Sequence, residues 1–492
     1  MGQTGETNEG SARRRQRRFD PTAHRSELVS IVDAIAAMPE LDPGRLDGLL
    51  KRFPKDGRGL FSRSEIISGF RHFKAEHWPA LDEAGFVARL RLRPIRTQSG
   101  VTPVTVLTRP FPCPGECIFC PNDIRMPKSY LADEPGAQRA EDNRFDPYLQ
   151  TWNRLDAYRS MGHPVDKVEL IILGGTWSFH PEVYQVWFVK RCFDALNDYG
   201  SGIDGRAEAG LAPARFRELT PIGRGSAGSY NRRIRAQLHP TEQANWPELF
   251  ASHRTNETAR CRSVGLVVET RPDHISDAEV DRIRRLGCTK VQIGLQSLSD
   301  EVLERNRRGC DVAASRRALR LLRAAGFKLH VHWMPNLLGS SPEQDAADYS
   351  RLFDDPDFRP DELKLYPCSL IESAELMTYY ESAQWRPYEN DELVELLATC
   401  LERTPAYCRL TRVIRDFSSG DIVAGNKIAN LREVAEAALA ARGARSRDIR
   451  AREIRGAPFD ADALALGIAE AAKGLGIPPP RLAHERLAPR FA

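Results

Sequence analysis

The sequence has no run of about 18 apolar residues, which excludes a membrane-spanning helix. Its first residues are polar, so no apolar leader for secretion is present, and a cytoplasmic location is expected. Ten cysteines in 492 residues are too few and too scattered for a disulfide framework. Charge of one sign is also missing. The net charge is only +4, which excludes a polycation that binds nucleic acid along its whole length. No internal repeat stands out, so a solenoid is not indicated. What remains is a chain with 41% apolar and 28% charged residues, enough for two to four globular domains of about 150 residues each.

The most informative stretch is Cys113-Pro-Gly-Glu-Cys117-Ile-Phe-Cys120, a C-x3-C-x2-C triplet. Thiolates hold iron–sulfur clusters, and three rather than four leave one iron of a [4Fe-4S] cubane open to another ligand. A zinc site is the competing reading, but no second cysteine pair stands nearby to complete four ligands. The triplet resembles the signature of radical S-adenosylmethionine (SAM) enzymes, whose open iron chelates SAM. The other cysteines (Cys192, Cys261, Cys288, Cys310, Cys368, Cys400 and Cys408) read as buried small hydrophobes.

Periodicity divides the chain. Residues 1–18 read as a disordered tail carrying Arg13, Arg14, Arg15, Arg17 and Arg18, which either binds phosphates or is simply solvated. Residues 19–96 read as a helical domain, with apolar residues at helical spacing at Leu28, Val29, Ile31, Val32 and Ile35, then Leu46, Leu49 and Leu50. Its basic and aromatic residues, among them Lys51, Arg52, Lys55, Arg71, Lys74 and Trp78, suit either a nucleic acid or an ordinary exposed helix face. Residues 97–370 alternate short apolar strands with amphipathic helices, the pattern of a parallel sheet. Strands are expected at 168–173, 264–269, 290–295, 327–333 and 363–366, in a partial or full βα barrel. Residues 200–258, rich in Gly, Ala, Arg, Pro and Ser, read as an inserted loop, and residues 371–492 as a mostly helical extension.

Polar signals cluster at strand ends, where barrels place their chemistry. Gly174 and Gly175 follow a strand and allow close backbone approach to a ligand, or else make an ordinary tight turn. Glu269 and Arg271 close the next strand as a pair for ribose hydroxyls and a carboxylate, or as a salt-bridged terminus. Gln292 and Gln296 share a face around Gly294. His330, His332 and Met334 share another, as polar lining or as metal ligands. Lys364 and Tyr366 share a third, where an inward lysine holds an anion or moves a proton, unless it lies at the surface. Lys167 stands at a helix–strand junction, a solvated position by default. Arg409, Arg412, Arg415, Lys427 and Arg432 form a basic stretch that meets an RNA backbone or solvent.

Taken together these residues resemble the catalytic subunit of the Elongator complex and its single-chain archaeal and bacterial relatives. The matching text runs through Arg93–Val101, the cysteines, Arg144–Tyr148, Gly162–Glu169, Glu269–Asp273, Gln292–Ser297, Leu363–Pro367 and Gly425–Arg432, covering about residues 90–455. The resemblance implies a radical SAM core that modifies wobble uridine of tRNA at C5. It implies a [4Fe-4S] cluster on Cys113, Cys117 and Cys120, with SAM at Gly174, Gly175, Glu269, Arg271, Gln292 and Gln296. Acetyl-CoA is implied as co-substrate, linked to Lys167: a radical drawn from SAM takes a hydrogen from the acetyl methyl, and the carbon radical adds to C5. Lys364 and Tyr366 match a family motif and are the catalytic candidates.

Three departures bear on this. The gap between the first two cluster cysteines is shorter than family members often have. Only about 37 residues follow the matching text, too few for the family's acetyltransferase domain, and they contain no glycine-rich pyrophosphate loop. No cysteine follows Cys408, where the family has zinc ligands near Ser446–Glu453. The expectation is a tRNA-modifying radical SAM transferase without its own acetyltransferase domain, in which either the acetyl donor still binds the barrel side or another protein supplies that domain. Its rivals are a radical SAM enzyme using another donor, and a tRNA-binding or regulatory homologue without turnover. The exposed, oxygen-sensitive thiols argue against the last.

Overall fold

In a computed structural model the described residues are 19–209, 227–234 and 241–453. The basic tail and residues 210–226 and 235–240 of the central insertion lie outside them, as does the chain after residue 453. The chain divides into two units, residues 1–450 and 451–492; in the second only residues 451–453 are described.

Four helices come first: α1 (Arg25–Ala37), α2 (Pro43–Arg52), α3 (Arg63–His77) and α4 (Glu83–Leu90). Each of the last three starts at a side-chain cap. Asp42 accepts from Arg45 N, Ser62 and Glu65 form a reciprocal capping box, and Asp82 accepts from Ala84 N and Gly85 N. Their apolar stripes meet in a core of their own, built on Leu28, Ile31, Ile35, Leu49, Ile66, Phe70, Phe73 and Phe86. Trp78 packs against this core and donates its indole N–H to Asp33 at 2.6 Å, so it is not a free stacking surface. Arg71 donates to Arg159 O at 2.9 Å and Arg91 to Gly162 O at 2.7 Å, tying the four helices to the strand-and-helix body of the chain.

That body alternates strand and helix. In order come β1 (Thr102–Leu107), α5 (Pro135–Asp142), α6 (Pro147–Ser160), β2 (Lys167–Leu173), α7 (Glu182–Ser201), α8 (Ala227–Arg233), α9 (Trp246–Asn256), β3 (Arg262–Thr270), α10 (Asp277–Arg285), β4 (Lys290–Gln296), α11 (Asp300–Arg305), α12 (Val312–Ala324), β5 (Lys328–Trp333), α13 (Pro342–Asp354) and β6 (Glu362–Leu365). Then come β7 (Leu370–Ile371), α14 (Leu376–Glu381), α15 (Asn390–Arg403), β8 (Arg409–Arg412), β9 (Ile422–Ala424) and α16 (Leu431–Ala441). Seven strands form one parallel sheet in the order β1-β2-β3-β4-β5-β6-β8, and β7 pairs antiparallel with β9. Since β1 and β8 are its two edges, the barrel is partial, with an open seam between them.

Strand alternation explains both faces. Val168, Leu170, Ile172, Val291, Ile293, Leu329, Val331, Leu363 and Leu410 point outward into the main core under the helices. Burying each contributes about 1.5–3 kcal/mol. Their neighbours Glu169, Gln292, His330, His332, Lys364 and Thr411 point inward and line a cavity.

Two readings are corrected. The inserted stretch 200–258 is not all loop: α9 lies within it, opened by an Asn245–Glu248 capping box and packed through Leu249 on the main core. The extension after residue 371 contributes β8 to the sheet. Arg409 and Arg412 bracket that strand, and their charges mask it.

Candidate active site

The cavity has a volume of about 890 Å³ and runs from the carboxyl ends of the strands down their inner face. At its top is the loop after β1 carrying the three thiols. Cys117 is buried, and Cys113 and Cys120 are half-buried. Residues far along the chain hold this loop. Asn231 of α8 accepts from Cys113 N at 2.9 Å and donates to Cys113 O at 2.8 Å. Ile118 N donates to Asn306 O, and Ile118 O accepts from Leu376 N. Asn122 bonds Ser373 through its backbone N at 3.1 Å and its side-chain amide at 3.0 Å.

Cations face the thiols. The Nη1 atoms of Arg308 and Arg271 stand 3.6 and 3.8 Å from Cys117 Sγ. A hydrogen bond from Cys120, with the charges of both arginines, holds the Cys117 thiol well below the ordinary range despite burial. Lys128 is buried beside them, donating to Pro121 O at 3.2 Å and to Asn122 Oδ1.

These residues fit an iron–sulfur cluster and a polar ligand on it. Among the described residues no three metal-ligating side chains converge at single-ion spacing. A cubane asks for something different, one thiolate on each of three irons, and guanidinium and ammonium groups stand by to balance the sulfur charge. Next to the thiols, Gln296 Oε1 and Arg308 Nε are buried with no partner. Polar atoms left this way cost about 1–3 kcal/mol each, which a bound ligand would remove. Gly294 keeps the space open: a Cβ there would meet Gln296 Nε2 at 2.8 Å.

The candidate ligand residues do not all behave alike. Gly175 (φ +91°) faces the cavity. Gly174 (φ +123°) packs on Thr108, where a Cβ would lie 2.2 Å from Oγ1, so its role is to let two strand ends meet. Arg271 is fixed by Asp273 at 2.9 Å and by Arg308 O at 2.6 Å. Glu269 accepts from Tyr130 at 3.4 Å and faces His332 at 3.8 Å. Lys167 is exposed at the start of β2 and stands apart from the cavity.

Halfway down, Gln292 Oε1 accepts from both His332 Nε2, at 3.0 Å, and Lys364 Nζ. Burial brings Lys364 down to about 8 and pushes Tyr366 up to about 12. Burial, then the Lys364 charge, hold His332 well below its ordinary value, so it is neutral. His330 and His332 are thus lining residues, engaged with Thr411 at 2.9 Å and with Gln292.

Ion pairs cross the amino-terminal ends of the strands. Lys290 lies 2.9 Å from Glu169 and 3.1 Å from Glu362, and Lys328 lies 2.9 Å from Glu362. Against the cost of burial, His330, Lys290 and Lys328 hold Glu362 down to about 2. The sequence reading missed this layer, together with Lys128, Tyr130 and Arg308. Glu169, Lys290 and Glu362 did carry a signal, as charges placed in otherwise buried strands. The basic stretch 409–432 splits. Arg409, Arg412 and Arg415 line the cavity, while Arg432 is a strut bound to Glu436 at 2.7 Å and Asp448 at 2.9 Å.

A curled, open sheet of parallel strands with a three-cysteine loop at its carboxyl end defines a radical SAM protein. The chain matches the Radical SAM superfamily over residues 237–349 and the Radical_SAM C-terminal domain over residues 360–441. It is 35% identical to a tRNA uridine(34) acetyltransferase of Methanocaldococcus jannaschii, over 87% of this chain and 71% of that protein. It is 36% identical to the protein of that name in Methanocaldococcus infernus, over 74% of this chain but only 61% of the relative's length. A solved structure of the archaeal Methanocaldococcus infernus Elp3 with an N-terminal deletion superposes with a TM-score of 0.55 at 32% identity, covering 72% of this chain and 66% of that one. The chain belongs to the family of tRNA uridine(34) acetyltransferases and Elongator complex protein 3. Among the described residues no helix is long and apolar enough to cross a membrane.

Proposed function

We propose that this chain is a cytoplasmic radical SAM transferase that modifies wobble uridine of tRNA at C5. The observation that carries the reading is the vertical order of the cavity: three thiols and two orphaned polar atoms at the top, and a His332–Gln292–Lys364 cluster with Tyr366 below. When bound, a [4Fe-4S] cluster on Cys113, Cys117 and Cys120 supplies one-electron reductive cleavage of SAM. Gly175, Glu269, Gln296, Arg271 and Arg308 are placed to hold the polar groups of SAM. Lys364, brought down to about 8 and so mostly protonated at neutrality, can donate a hydrogen bond to a uracil carbonyl or an acyl oxygen. Its minor neutral form can accept a proton at this depth of the cavity.

Acetyl-CoA as donor, giving a carboxymethyl group, is the finer reading. Lys167 lies outside the cavity, so its contact would be with the distal part of the coenzyme and not with the acetyl group. The tRNA nucleotide must leave its stack to bring a base to this depth.

Anaerobic reconstitution followed by dithionite-driven release of 5′-deoxyadenosine tests the cluster and SAM. Mass spectrometry of tRNA nucleosides from a deletion strain tests the substrate. Protein that binds iron but never cleaves SAM would refute the chemistry. An unchanged set of wobble uridines would refute the substrate.

A further inference from the structure

The open edge of the sheet carries a charge cluster that neither the thiol site nor the Lys364 group uses. Arg93, held in the left-handed region (φ +53°), and Arg96 lie on the turn that leads into β1. Arg139 projects from α5 and Arg154 from α6. All four line the same cavity along Pro103, Thr105 and Leu107 of the edge strand β1. None forms an ion pair among the described residues. Arg154 instead donates to Tyr158 Oη at 3.0 Å and lies 4.2 Å from that ring's centre. Arg139 is half-buried, and burial first, then the charges of Arg154 and Arg96, push its guanidinium down. On the opposite edge Arg412 is neutralised by Asp416, while Arg415 reaches across the seam to Ser129 O and, at 3.8 Å, to Glu134.

A solvated basic face is the plain alternative. Such a face spreads its charges and keeps them in water, whereas here two of the guanidiniums are drawn in beside like charges. That arrangement costs free energy until an anion arrives. The fork geometry of arginine suits phosphate oxygens. Arg93 and Arg96 lie before the amino-terminal end of β1, about 20 Å of strand from the loop that carries the thiols, and Arg139 lies nearer the other end, close to Leu107. Four guanidiniums spread along an edge suit a run of backbone better than one small anion.

We propose that Arg93, Arg96, Arg139 and Arg154 form a phosphodiester clamp on the β1 edge, holding RNA backbone beside the nucleotide whose base enters the cavity through the seam. This rests on the reading of the substrate as tRNA. The base would pass between β1 and β8 to the level of Gln292 and Lys364, while its flanking phosphates stay outside on the arginines.

The test is tRNA binding by the full chain, measured by fluorescence anisotropy across a salt series, for the wild type and for Arg139→Gln with Arg154→Gln. Each phosphate contact contributes about 0.7–0.9 to the slope of log Kobs against log salt, so the double variant should be shallower by about 1.5. The paired change to lysine should keep most of the slope. If the double variant melts early, Arg96→Gln on the exposed turn carries the test, with an expected change of about 0.8. A wild type that binds no tRNA overturns the functional reading and the clamp with it. A wild type that binds, with variants of equal slope, overturns the clamp alone. Unchanged tRNA binding with lost competition by coenzyme A assigns the arginines to a coenzyme phosphate, and likewise overturns it.

Discussion

Lys364 is expected to lower the stability of this fold, and replacing it with methionine isolates the effect. In the folded chain its ammonium is buried among Gln292, His332 and Tyr366, and burial brings it from an ordinary 10.5 to about 8. The sign comes from linkage. Between these values the unfolded chain holds the proton and the folded chain does not, so stability rises with pH across that window. Below pH 8 both states are protonated and the full penalty applies, about 3 kcal/mol at 1.36 kcal/mol for each tenfold shift. Lys364→Met removes the penalty and loses one charge-assisted hydrogen bond, worth about 1.5–3 kcal/mol. Gln292 Oε1 keeps its bond from His332 Nε2, so no acceptor is orphaned. The cluster-free variant should therefore be equal to the wild type or up to about 2 kcal/mol more stable at pH 7, and lose its advantage by pH 10, while product formation stops. Urea unfolding followed by tryptophan fluorescence at both pH values reads this directly. A variant that loses more than about 2 kcal/mol at pH 7, or a difference that does not change with pH, would refute the argument that Lys364 is a buried, destabilised cation.

Lys290→Met leaves Glu169 and Glu362 facing each other without their shared ammonium, and should cost about 3 kcal/mol in urea unfolding at pH 7. Glu362, held at about 2 against an ordinary 4.5, contributes stability that is present above pH 4.5 and lost as pH falls toward 2; in Glu362→Gln the acid limb of the stability–pH curve should flatten. Gly174→Ala places a Cβ against Thr108 at a positive φ and should destabilise by about 3 kcal/mol by thermal melting. Asn231→Ala removes both bonds to the Cys113 backbone, and should leave the fold intact by circular dichroism while lowering the iron retained after desalting.

Local signals were legible and closure was not. The cysteine triplet and the apolar alternation of β2 to β6 are written within a few residues each, so the sequence alone locates them. Strand β8 was hidden because four residues with an arginine at each end carry no apolar run, and its place is fixed only by pairing with β6. The cavity's polar contacts join residues far apart in sequence. Arg308 reaches Cys117 across 191 positions, and Lys364 reaches Gln292 across 72. Lys167 shows the converse: its motif was read, but its position at the start of β2 puts it at the end of the strand away from the thiols.

The supports of the cysteine loop set a timetable for maturation. Cys113 leaves the ribosome early, yet its loop is held by Asn231, Asn306, Ser373 and Leu376, the last two more than 250 residues later than the start of the triplet. Iron loading must then wait until nearly the whole barrel has been synthesised and folded. Nascent chains stalled before Ser373 should emerge with their thiols reactive and take up no iron from a donor scaffold, whereas released chains should accept it.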